Sequence, residues 1–86
     1  MTTLDDRAEV TLRMLTDAAN EAGMKITGDG RVGEADAAAL LGWKAKTLAD
    51  RRTEGRGPQA YRMPVGEARM SYRLIDLAEW IEAQRE

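Results

Sequence analysis

Only three residues, Gly42-Trp43-Lys44, separate two short helical patterns, and that spacing narrows the possible folds more than any other feature of the chain. A glycine-containing link this short makes the two helices a tight pair. The chain has 86 residues, which is room for one hydrophobic core and no more. It holds no cysteine and no histidine, so zinc fingers, disulfide scaffolds, haem ligation and histidine-based catalysis fall away. Ser71 is its only serine, no nucleophile–base pair is visible, and the carboxylates are scattered along helix faces. No enzyme, cofactor or metal site is expected. The longest apolar run, Ala37 to Leu41, is five residues, and the N-terminal Met1 to Asp6 has neither a basic nor an apolar stretch. The expectation is a cytoplasmic, nucleoid-associated protein with no membrane segment and no signal peptide.

The net charge of −2 conceals a segregation. Residues 1–41 carry four basic and eight acidic side chains, whereas residues 42–73 carry eight basic and three acidic ones. Residues 74–86 are acidic again. A basic middle between acidic flanks suits a polyanionic partner. Charge alone fits an ordinary solvated face equally well.

Periodicity places a first helix over Leu4 to Ala22, with Leu4, Ala8, Leu12, Leu15, Ala19 and Ala22 on its apolar stripe, Thr3 as cap and Gly23 as stop. Met24 to Thr27 alternates as a strand does and can pair with Arg31-Val32 around Gly28-Asp29-Gly30. A second helix is expected over Glu34 to Leu41 and a third over Ala45 to Thr53. Ala60 to Met63 and Arg69 to Tyr72 read as two strands around Pro64 to Glu67, before a last helix over Leu74 to Gln84 with Arg85 suiting its C-terminal dipole.

Gly28-Asp29-Gly30-Arg31-Val32-Gly33 matches the G-x-G-x-x-G pattern of dinucleotide-binding loops. The larger context does not: a basic helix follows where a parallel strand is needed, and the chain is too short for the remaining strands. A tight turn followed by a helix-start glycine explains the pattern.

The helix pair 34–41 and 45–53 instead has the arrangement of helix-turn-helix DNA readers, whose second helix enters the major groove. Leu48, with Ala45 a turn earlier, faces the core; Lys46, Thr47, Asp50 and Thr53 project the other way. Lysine and threonine donate to base edges or phosphates, and Asp50 is an acceptor for a cytosine amino group. Arg51 and Arg52 lie at the side, where phosphates run, and Lys44 is a further candidate contact. The candidate loop and hairpin contacts are Arg56, Arg62, Arg69 and, at the tip, Glu67. Trp43, Trp80 and Tyr72 fit packing roles better than stacking ones.

Four stretches in this order resemble the excisionase/MerR-like winged helix-turn-helix domains. Val32 to Trp43 is similar to their "EAAELLGV" opening, and Lys46-Thr47-Leu48 to their "R-T-L". Glu54-Gly55-Arg56-Gly57-Pro58 matches "EGRGP", and Ser71 to Ile81 resembles "RYRREDLDAWL". The resemblance spans about residues 31–83. It implies a mostly α fold with a small β-hairpin wing, residues 24–86 forming the DNA-binding domain; residues 1–23 lie outside the family pattern and read as an extra helix for core padding or dimerisation. It further implies double-stranded DNA as partner, binding as a homodimer or cooperative array, and a phage or mobile-element role in transcription, excision or DNA architecture. Arg51 stands where the family commonly has tryptophan, and Asp50 where a basic residue is common. These departures, with the acidic total, keep open a protein-interaction module or DNA-packaging small subunit that uses the basic face to dock a partner.

Overall fold

The computed structural model describes residues 4–84. Thr3, Arg85 and the side chain of Leu4 lie outside the described residues. Helix α1 (Leu4–Glu21) buries Ala8, Leu15 and Ala19. Helix α1 packs on α4 (Leu74–Ala83), where Ala8 and Leu15 share one core with the buried Leu74, Leu77 and Ala78. Thr11 donates its hydroxyl to Glu82 at 2.9 Å, and Arg7 lies 3.8 Å from the same carboxylate. Ala22, expected on the stripe, is exposed because the helix ends at Glu21 and the chain turns away at Gly23. Val10 and Met14 also face water, so α1 is apolar on one side and keeps two large apolar groups on another.

Between them lie α2 (Glu34–Leu41) and α3 (Ala45–Glu54), joined by Gly42-Trp43-Lys44. Gly42 has φ +77, a left-handed conformation that costs a side-chain-bearing residue energy. There the Gly42 and Trp43 amides donate to the carbonyls of Ala39 and Ala38 at 3.1 and 2.8 Å, satisfying two of the orphaned helix-end acceptors. The same pair of bonds recurs at Gly55, where the Gly55 and Arg56 amides donate to Arg52 and Arg51.

The strands depart from expectation. No strand forms over residues 24–27; β1 (Arg31–Gly33) pairs antiparallel with β2 (Ser71–Arg73), forty residues away, with Val32 opposite Tyr72. Residues 27–31 form a turn instead, in which the Arg31 amide donates to the Thr27 hydroxyl at 2.9 Å. Pairing with β2 places Val32 and Tyr72 at 0% exposure, burial that a local hairpin with the polar 24–27 segment does not supply. Of the expected strands 60–63 and 69–72, the second persists only as β2 at 71–73, paired with β1, and the two segments meet only through isolated bridges, Tyr61–Ser71 and Val65–Ala68. Their intervening residues Arg62, Met63 and Pro64 are exposed, and proline has no amide to donate to a ladder. At the tip, Gly66 (φ +60) and Glu67 form a two-residue turn with positive φ at its first position only, the type II′ pattern.

The result is a small, mostly helical fold with four helices and a two-stranded antiparallel sheet among the described residues, compatible with a winged-helix class. α1 contributes Ala8 and Leu15 to the same core as Val32, Leu48 and Tyr72. No described helix is long and apolar enough to cross a membrane.

Candidate nucleic-acid interface

Helix α3 carries little apolar surface, and Leu48 alone among its residues is buried, at 0% exposure. Ala45, expected beside it in the core, is exposed: it is the first residue of the helix and lines an open groove instead. The face away from Leu48 presents Lys46, Thr47, Asp50 and Thr53 to solvent, with Lys44 at the N-cap also exposed. Lys46 Nζ sits 3.0 Å from Asp50 Oδ2, one helical turn on. Both ends of that pair are mostly exposed, so it contributes little to stability.

The two arginines of α3 are not bare surface cations. The Arg51 guanidinium lies 4.5 Å over the centre of the Trp43 ring, which meets Trp80 edge-on at 5.4 Å. Both tryptophans are half-buried, whereas Tyr72 is fully inside. Arg52 turns back to α2: its Nε and Nη2 donate to the two oxygens of Glu34 at 2.7 and 3.2 Å. The Tyr72 hydroxyl donates to the same carboxylate at 2.7 Å. Burial pulls the Glu34 pKa upward, but the Arg52 and Tyr72 hydrogen bonds and the Arg52 charge outweigh it and hold the carboxyl below its ordinary value. Burial, then the adjacent Glu34 carboxylate, push the Tyr72 phenol far above its usual range. Arg52, expected at the side where phosphates run, is thus tied into the core's edge, because the 34–41 and 45–54 helices bring Glu34 within reach of it.

Segment 56–70 is mounted on a buried arginine. Arg31, 7% exposed, donates through Nη1 to the Met63 carbonyl at 3.1 Å and to the Ser71 hydroxyl at 2.9 Å. Its Nε faces the Asp29 carboxylate at 2.8 Å. That hydrogen bond, with one from Thr27, lowers the Asp29 pKa to about 2. Tyr61 donates to Asp76 at the start of α4 at 2.7 Å, under the Arg73 guanidinium. Gly33 completes the mount, since a Cβ there lies 2.8 Å from the Ala68 Cβ. The glycine pattern 28–33 therefore serves a turn and a close crossing. Its helix-start amide, that of Glu34, donates to the Met70 carbonyl at 3.1 Å.

Between α3 and this segment run two adjoining open grooves of about 600 and 530 Å³. Arg52, Arg62 and Met70 line both, with Gly57 and Gln59 on one side and Glu34 and Arg69 on the other. Arg62, Arg69 and the tip residue Glu67 are exposed. Arg56 is exposed too, paired with its neighbour Glu54 at 3.1 Å. The structure therefore groups Arg52, Arg62 and Arg69 at the grooves. Lys46, Thr47 and Asp50 lie on the adjacent helix face, while Arg51 sits against the tryptophans.

Sequence reading missed Arg31, Glu34, Asp29 and Tyr72 as parts of this site. Only the glycines flanking Asp29 to Val32 hinted at a backbone crossing; Arg52 lies 18 residues from Glu34, and Arg31 lies 32 and 40 residues from the Met63 and Ser71 it holds, separations that leave no local pattern. No family model, curated protein or solved structure matches this chain.

Proposed function

We propose that this protein is a sequence-preferring double-stranded DNA-binding protein of the winged helix-turn-helix type, with α3 as recognition helix and the 60–72 hairpin as wing. Its role on this reading is that of a phage or mobile-element regulator or an excision or architectural factor. One observation carries the proposal: the solvent-facing side of α3, free of packing, adjoins grooves lined by Arg52, Arg62 and Arg69. Polar side chains on a projecting helix suit base edges, and arginines beside it suit the phosphates that flank a major groove. The ordered resemblance over residues 31–83 points the same way. In this role Lys46 and Thr47 donate to bases or phosphates, Asp50 accepts, and Arg62 and Arg69 meet the backbone, with Arg56 at the edge of the loop.

A second reading, a protein-docking module, is favoured by the Lys46–Asp50 pair, which neutralises the one lysine at the centre of the reading face. The separating experiment retains sheared genomic DNA on the purified protein at two salt concentrations and sequences what stays bound. DNA reading predicts a few enriched sites that survive the higher salt. It also predicts that Lys46→Ala weakens binding to those sites selectively, whereas Arg69→Ala weakens binding to all sequences and lowers the salt slope by about 0.9. No retention at low salt selects the protein-docking reading.

A further inference from the structure

Resting on the DNA-binding reading, we propose that Arg52 is a pre-oriented anchor for a backbone phosphate and that Glu34 is the positioning residue that makes it one. Arginine has five donor hydrogens in a rigid fork. Here Nε and one hydrogen of Nη2 are taken by Glu34, and among the described residues Nη1 has no bonded partner. The side chain is 32% exposed and lines both grooves beside Arg62. Glu34 cannot swing freely to follow it, since it starts α2 and its side chain is 17% exposed. The free hydrogens therefore stay in a fixed plane at the groove, in the geometry a phosphodiester oxygen accepts. Arg62 and Arg69, exposed on the hairpin, must give up side-chain freedom when they bind; Arg52 has already lost it.

The proposal makes a prediction opposite in sign to simple electrostatics. Glu34→Gln removes a negative charge beside a polyanion, so charge alone predicts tighter binding. Loss of the anchor's orientation predicts weaker binding. The test measures affinity for a mixed-sequence duplex of about 25 base pairs across a salt series. Glu34→Gln is expected to bind about three- to tenfold more weakly with the salt slope nearly unchanged, because Arg52 keeps its charge. Arg52→Lys is expected to behave likewise, and Arg52→Ala to lower the slope by about 0.9 in addition.

Tyr72→Phe separates orientation from general loosening. It leaves the Glu34–Arg52 pair in place and is expected to bind within about twofold of the parent. Equal or tighter binding by Glu34→Gln overturns the anchor while leaving DNA binding intact. An affinity loss for Tyr72→Phe as large as that for Glu34→Gln overturns it too, by assigning the effect to the core. Failure of the unaltered protein to bind the duplex at low salt removes the DNA reading and the anchor together.

Discussion

Where α1 lies on α4, the contact is made by Ala8, Leu15, Leu77, Ala78 and their neighbours, closed at one end by Thr11 and Glu82. Across the molecule, α3 and the 56–70 segment bury only Leu48, Pro58 and Val65. Their placement is set by polar pins: Arg31 to Met63 and Ser71, Arg52 to Glu34, and Tyr61 to Asp76. Apolar packing is insensitive to direction and pH, whereas hydrogen-bonded ion pairs fix geometry and respond to both. A helix that leaves most of its surface to solvent has little apolar area with which to hold itself. The difference teaches that the candidate interface trades packing for orientation.

The comparison breaks most visibly at Leu77, which is fully buried where α4 faces the core. Leu77→Ala is expected to lower stability by about 3–5 kcal/mol in denaturant unfolding, with both sides of the molecule lost in one transition. Separate transitions for the two sides would contradict a shared core. Gly33→Ala comes next. Its Cβ clashes with Ala68, whose own Cβ cannot rotate away, so the expected cost is about 1–3 kcal/mol. Hydrogen exchange should show the loss concentrated at residues 61–71, and adding Ala68→Gly should restore most of it.

Acid sharpens the contrast further. The Asp29 carboxyl is held below its ordinary 3.8, at about 2, so its contribution is present above about pH 4 and is lost as pH falls toward 2. Asp29→Asn should therefore flatten that limb of the melting-temperature profile; an unchanged limb would assign the acid sensitivity elsewhere. The smallest effect belongs to Lys46. Its salt bridge is exposed, so Lys46→Ala should change stability by less than about 0.5 kcal/mol while altering any binding that uses this face.

These ranks reflect what the sequence does and does not disclose. The bounds of α2 follow directly from Glu34 and Gly42, and α3 runs one residue past the expected Thr53, because local periodicity and stop glycines act within a few residues. Leu48 as the buried residue of α3 was legible for the same reason. The pairing of Val32 with Tyr72 was not, since β1 is only three residues long and its partner is remote in sequence. Arg52 and Arg31 illustrate the limit at the site. As letters they are two more cations in a basic stretch and beside it; only the packed helices and strands reveal that Arg52 holds Glu34 and that Arg31 reaches Met63 and Ser71. The exposed Lys46, Thr47 and Asp50 were legible because they lie opposite Leu48 on one short helix.

Trp43 and Trp80 are the only tryptophans in the chain, and their rings meet at 84°. One comes from the turn before α3 and the other from α4, so the whole indole signal originates at the seam between the scaffold and the candidate interface. Arg51 places a cation on the outer ring. Any event that shifts α3 against α4, or draws Arg51 away, changes the ultraviolet emission and the coupled circular-dichroism band of this pair. The molecule thus carries an optical gauge of the seam beside its candidate interface, readable without an added label.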